Sequence, residues 1–182
     1  MSRVNIVTEE ILGLMKQAGC REIFYGFETG SDVILKSELK AQSKEQMLHA
    51  RKITKKAGIK TTGSFVMGLP EESKETIKET LRFALKLRAD YVQFTLASPF
   101  PGTTLYEKAK KLDLLHLESW EDLDGSHGPI ISTKHLSRQE LEGTIRWSYI
   151  RYYTHPLIIW ENIKSIRDTN DIRKLVRGGK SI

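Results

Sequence analysis

Three short apolar runs, each closed by a polar or Gly/Pro-rich loop and each followed by a helical pattern, restrict this chain more than any other feature. The clearest is Gly58 to Pro70, Gly-Ile-Lys-Thr-Thr-Gly-Ser-Phe-Val-Met-Gly-Leu-Pro, with Glu71 and Glu72 directly behind it. Thr61 to Met67 is mostly apolar, β-branched or aromatic and is bracketed by Gly58, Gly68 and Pro70, the pattern of a parallel strand covered on both faces. Gly68 lets the backbone approach a ligand, and Pro70 stops the strand. Glu22 to Glu28 leading into Thr29-Gly30-Ser31, and Tyr91 to Ala97 leading into Ser98-Pro99-Phe100-Pro101-Gly102-Thr103, repeat the pattern.

The intervening helices carry start and stop signals. Ser43-Lys44-Glu45-Gln46 is a capping box ahead of Met47, Ala50, Ile53 and Ala57, with Gly58 at the C-terminal cap. Ser73 caps a helix bearing Ile77, Leu81, Ala84 and Leu85, and Thr104 to Glu107 reads as another capping box. Ahead of the first strand, Thr8 precedes Glu9 and Glu10, and Ile11, Leu14, Met15 and Ala18 recur at helical spacing. The order helix, then strand and helix three times, predicts an α/β fold with a parallel sheet. A closed eight-unit barrel takes roughly 250 residues. The strand-bearing part here ends near Leu115, so the expectation is a small open sheet or a portion of a larger barrel.

Beyond Leu115 the pattern changes, which predicts two regions, 1–115 and a mainly helical extension over 116–182. Leu136 to Leu141 combines a capping box with a hydrophobic staple and opens a helix running to about Tyr153. Pro156 fits the first turn of another helix, and a short basic helix is expected to end near Gly178. Trp147, Tyr149, Tyr152, Tyr153 and Trp160 could line a cofactor pocket, but aromatic residues at such helical positions more often pack as core.

With 39% hydrophobic and 29% charged residues the chain can bury a core, and no apolar run approaches the length of a membrane span. The net charge of +6 gathers around Lys36 to Lys60 and near the C-terminus, interleaved with acids and without a nucleic-acid motif, so solvated helix faces are expected rather than a nucleic-acid partner. The single Cys20 excludes an intrachain disulfide, reads as a small buried hydrophobe, and fits the cytoplasm.

Parallel α/β folds place ligands at the C-terminal ends of their strands. Glu28 ends the first strand there, and a carboxylate can accept hydrogen bonds from two adjacent hydroxyls, as in a ribose diol. Ser64 can reach the same group, and Lys40 can meet a ligand carboxylate. A helix-capping or ion-pairing acid and a surface lysine remain the structural alternatives for Glu28 and Lys40.

Gly26-Phe27-Glu28-Thr29-Gly30-Ser31-Asp32, then Ser64 to Glu71, then Pro99-Phe100-Pro101-Gly102-Thr103, in that order and spacing, resemble the second half of a radical S-adenosylmethionine (SAM) enzyme core. The similarity points to the subgroup with a cobalamin-binding domain, which includes anaerobic magnesium-protoporphyrin monomethyl ester cyclases and certain methyltransferases. Trp120, Leu136-Ser137 with Glu140-Leu141, and Arg151-Tyr152-Tyr153 before Pro156 resemble that subgroup's C-terminal extension.

The resemblance implies three βα units of a partial TIM-type (β/α)6 barrel. It also implies a parent reaction in which a [4Fe-4S] cluster cleaves SAM reductively and the resulting radical abstracts hydrogen, with cobalamin a further cofactor of some members. It places Glu28 and Ser64 on the SAM ribose side, Ser31 in the same motif, and Lys40 near the SAM carboxylate. Val66 and Gly68 fall beside the adenine, and Ala97 and Ser98 at its edge.

The cluster motif Cys-x-x-x-Cys-x-x-Cys is absent from these residues. The expectation is therefore a fragment that retains the adenosine half of the SAM site, holds SAM weakly or not at all, and is inactive alone. A non-catalytic adenosyl- or protein-binding module is the alternative, and a small enzyme using Glu28 as base is a further one. An open half-barrel with Phe24, Phe65 and Phe94 turned inward also predicts a homodimer through its uncovered face.

Overall fold

The computed structural model describes residues 2–38, 42–117 and 130–165. The elements run α1 (Glu9–Gln17), β1 (Glu22–Glu28), α2 (Asp32–Ser37), α3 (Lys44–Lys56), β2 (Lys60–Met67), α4 (Lys74–Leu87), β3 (Tyr91–Leu96), α5 (Thr104–Lys111), α6 (Arg138–Tyr153) and α7 (Pro156–Ser165). The three strands form one parallel sheet in the order β1-β2-β3. This is the expected α/β architecture, with α2 as an additional short helix that the sequence periodicity does not announce.

The helix caps follow their side chains. Thr8 accepts from Ile11 N–H, and Ser43, Ser73 and Ser137 each close a reciprocal capping box. At α5 the cap is Thr103 rather than Thr104: its hydroxyl accepts from Tyr106 N–H, so the expected box there shifts by one residue. Pro156 opens α7, where its missing N–H removes nothing from the helix ladder. Leu115 and Ile131 form an isolated antiparallel bridge. The basic helix near Gly178 and Trp120 lie outside the described residues.

Alternation along the strands gives the sheet two unlike faces. Ile23, Tyr25, Phe27, Phe65, Met67, Val92 and Phe94 are buried and join one core with residues of α1, α3, α4, α6 and α7. The opposite face carries Phe24, Gly26, Thr62, Ser64, Val66, Tyr91 and Thr95, all half-buried, and the exposed Gln93. β2 is therefore covered on one face, not both. Phe65 and Phe94 also depart from expectation, since both lie on the helix-covered face and only Phe24 lies on the other. Rings run across the covered face, with centroids 5.7 Å apart for Phe27 and Phe65 and 5.8 Å for Phe65 and Phe94. Burying a side chain of this size contributes roughly 1.5 to 3 kcal/mol.

The extension packs directly on the sheet. Tyr152 is fully buried, while Trp147 and Trp160 are 43% and 56% exposed and so do not join the core. The outer edge of β3 is met by α6 hydroxyls: Tyr149 Oη accepts from Phe94 N–H and donates to Phe94 O, and Tyr153 Oη does the same for Val92. On the outer side of β1, Ser2 N–H donates to Phe24 O at 2.8 Å within a parallel bridge.

Arg51, counted by sequence among solvated cations, is 6% exposed and donates twice to Arg88 O beside the Asp90 carboxylate. Cys20 is half-buried rather than buried. No helix among the described residues is long and apolar enough to cross a membrane.

Candidate functional site

β1 does not end as a regular strand. Its register against β2 breaks between Gly26 and Glu28, and Glu28 has a φ of +68°. Thr29 N–H donates to Phe27 O at 2.9 Å, which makes Glu28 the centre of a γ-turn, a strained conformation for a residue with a Cβ. Neighbours hold it there. Gln42 Nε2 donates to Gly26 O and Phe27 O, while Thr80 Oγ1 of α4 accepts from Gly30 N–H and pairs with Thr29 Oγ1. Irregularities of this kind re-aim side chains next to sites, and Glu28 stands at this one.

Beside that turn the uncovered face offers room. Gly26 pairs with Ser64 and Ser64 with Gln93, so the half-buried Ser64 hydroxyl has no side chain on one flank and an amide on the other. One step further along the strands, Val66 pairs with Thr95 and packs against a second apolar cluster of Ile34, Leu69, Ala97, Ala109, Leu114 and Ile131.

The loop after β2 is held from several directions. Gly68 has a φ of +91°, a conformation that glycine adopts at no steric cost. Its N–H donates to Glu72 Oε2 at 2.5 Å, and Leu69 N–H reaches the same oxygen at 3.3 Å. Glu72 is fully buried, and its Oε1 has no hydrogen-bond partner among the described residues. Burial pushes its carboxyl up to about 7, against the two amides that favour the ionised form. The extension clasps the other side: Thr133 Oγ1 donates to Glu72 O, Lys134 N–H donates to Pro70 O, and Lys134 Nζ lies 2.7 Å from Glu71 Oε1.

Of the residues singled out by sequence, Glu28, Ser64, Val66 and Gly68 come together at the C-terminal end of the sheet. Ser31 follows the γ-turn as the cap residue of α2, with a fully buried hydroxyl that has no partner among the described residues. Ala97 is buried and uses its N–H on Met67 O at 2.7 Å; Ser98 is exposed in the next loop. Lys40 lies outside the described residues. Sequence reasoning missed Gln42, Thr80 and the carboxylate role of Glu72. Only Glu72 carried a local signal, as the second acid behind Gly68-Leu69-Pro70.

These residues fit an adenosyl ligand: a carboxylate on a braced turn, a hydroxyl beside a glycine gap, an apolar Val66 and an unpartnered buried Ser31 hydroxyl. They do not fit an iron–sulfur cluster. Cys20 precedes the opposite end of β1 and is the single cysteine of the chain, and no group of three or more His, Cys, Asp or Glu among the described residues is placed to hold a metal ion.

A parallel α/β sheet with one face open and polar residues at its C-terminal strand ends defines part of a barrel-type core. The chain belongs to the radical SAM superfamily, whose sequence model matches residues 2–84. It is 35% identical over 179 residues to an uncharacterized methyltransferase of Pyrococcus horikoshii, a match covering 97% of this chain and 38% of the relative. It is 29% identical over 150 residues to the anaerobic magnesium-protoporphyrin IX monomethyl ester cyclase of Cereibacter sphaeroides, covering 80% of this chain and 23% of that one. Among solved structures, the coproporphyrinogen III oxidase of Escherichia coli, a radical SAM enzyme, superimposes with a TM-score of 0.60 at 15% identity, covering 84% of this chain and 30% of the oxidase. The chain thus spans well under half the length of the relatives it matches.

Proposed function

We propose that this chain supplies the adenosine side of a SAM site in a cytoplasmic radical SAM enzyme of the cyclase or methyltransferase type. The observation that carries this reading is the braced γ-turn at Glu28, which sets a carboxylate at the same end of the sheet as Ser64, Val66 and the Gly68 loop. Glu28 and Ser64 hold the ribose hydroxyls, Ser31 supports the same turn, and Val66 with the Gly68 main chain lies along the adenine. Ala97 and Ser98 border its edge, and Lys40 meets the ligand carboxylate. In this superfamily SAM supplies the 5′-deoxyadenosyl group used to abstract hydrogen. Cluster cysteines, and cobalamin where the enzyme uses it, belong to sequence beyond these 182 residues in this reading.

Calorimetric titration with S-adenosylhomocysteine tests the reading. Weak binding is expected, and Glu28→Ala lowers it by roughly 1 to 3 kcal/mol, the scale of hydrogen bonds to a charged group. Equal affinity of the variant would remove Glu28 from the site. Anaerobic treatment of these residues alone with iron and sulfide is expected to give no stoichiometric cluster and no 5′-deoxyadenosine. One cluster per chain with SAM cleavage would overturn the division of the site.

A further inference from the structure

We propose that Glu72 is a positioning residue for the adenosyl ligand: its carboxylate holds the Gly68 and Leu69 amides, fixes the main chain that follows Val66, and loosens that hold on taking up a proton. This rests on the adenosyl reading above and extends it to a residue that touches no ligand.

The geometry is specific. A single oxygen, Oε2, takes both amides, while Oε1 is buried without a partner among the described residues. The loop has few other ways to keep its shape. Glu72 N–H donates to Leu69 O at 2.8 Å, and the carbonyls of Pro70 and Glu72 are tied to Lys134 N–H and Thr133 Oγ1. With Pro70 and Glu72 clasped, the Gly68 and Leu69 amides are the part of the loop whose hydrogen bonds, among the described residues, run to the carboxylate. A charged acceptor makes a hydrogen bond about twice as strong as a neutral one, so protonation weakens the hold without removing it.

Glu38 bears on that carboxylate, and Lys108, Glu71, Lys134 and His135 stand around it. Glu38 at the end of α2 raises its proton affinity and is itself paired with Lys108 of α5 at 2.7 Å. Glu71 is paired with Lys134, and His135 acts on Glu71. The Glu72 carboxyl, raised to about 7 by burial, changes charge within the physiological range.

The test reads the Gly68 and Leu69 amide resonances of the 15N-labelled chain from pH 6 to 8, and titrates 5′-deoxyadenosine, which carries no group ionising in that range, at both limits. Both amides are expected to move with one shared midpoint near 7, and to stay still in Glu72→Gln. A His135→Gln variant, expected to keep the midpoint, removes the imidazole as its source. Ligand binding is expected to be about threefold to tenfold weaker at pH 6 than at pH 8 in the natural chain and unchanged between them in Glu72→Gln. Static amides in the natural chain, or the same movement in Glu72→Gln, overturn the proposal. The natural chain's titration needs no variant, so it decides even where Glu72→Gln fails to fold. Absence of 5′-deoxyadenosine binding at every pH overturns the adenosyl reading instead, and the amide titration still shows whether Glu72 holds the loop.

Discussion

The Tyr149 hydroxyl stands where a neighbouring strand would stand for Phe94, accepting from its amide at 3.0 Å and donating to its carbonyl at 3.1 Å. Tyr153, one helical turn on, repeats this for Val92, two residues back in β3. The match is metric: four residues of helix rise about 6 Å, and two residues of strand about 6.6 Å. Two phenols on one helix face thereby satisfy the outer edge of β3, which otherwise would template association. Tyr149→Phe and Tyr153→Phe are each expected to lower stability by about 1 to 2 kcal/mol, since each leaves an amide and a carbonyl without this partner. Urea unfolding measures it, and an unshifted midpoint in both variants would show that water replaces the hydroxyls at no loss.

The Glu72 carboxyl gives a pH dependence of opposite sign to that of the surface carboxylates. Its proton affinity is raised from 4.5 in the unfolded chain to about 7 in the fold, with burial as the main cause. Between those values the folded state retains a proton that the unfolded state has released, so stability from this group falls as pH rises and is lowest above about 7. The expected loss is roughly 3 kcal/mol between pH 4.5 and 8. Glu140, held down to about 2 by Lys74, acts the other way, its contribution disappearing as pH falls. Denaturation at pH 5 and pH 8 of the natural chain and Glu72→Gln isolates the first effect. Equal pH slopes for the two proteins would contradict it.

Gly30 is packed without room for a side chain. A Cβ there would collide with Phe83 Cβ and stand 2.9 Å from Thr80 Cα. Because Thr80 also anchors Thr29 and Gly30, Gly30→Ala is expected to lower stability by about 1 to 3 kcal/mol and to disturb the Glu28 turn. Thermal unfolding together with the S-adenosylhomocysteine titration checks both. A variant with natural stability and affinity would show that α4 yields.

Two copies are expected to associate through the uncovered face and the β1 side, because α6 closes the β3 side. Light scattering at micromolar concentration is expected to give twice the chain mass, with a contact of at least ~1,000 Å². A monomer whose unfolding is independent of concentration would show that the half-buried face is satisfied as it stands.

The order of elements along the chain and the serine caps were legible because they follow from local chemistry: β-branched runs, Gly58 and Gly68, and the serines at positions 43, 73 and 137. The places of Glu28, Ser64 and Gly68 at or near strand ends were legible because strand ends and loop residues mark themselves. The faces were not. Phe65 and Phe94 read equally well on either side of β2 and β3, since alternation states which residues share a face but not which face the helices cover. The roles of Gln42 and Thr80 depend on contacts 15 to 51 residues apart, which no local pattern carries. Arg51 misled for the same reason, as its partners Arg88 O and Asp90 come from the turn before β3.

The most direct measurement is amide mapping of the 15N-labelled chain with S-adenosylhomocysteine. Perturbed resonances are expected to concentrate at Glu28 to Ser31, Ser64 to Gly68, and Ala97 and Ser98, at the C-terminal ends of all three strands. Perturbations confined to the outer helices, or none at millimolar ligand, would contradict the adenosyl reading.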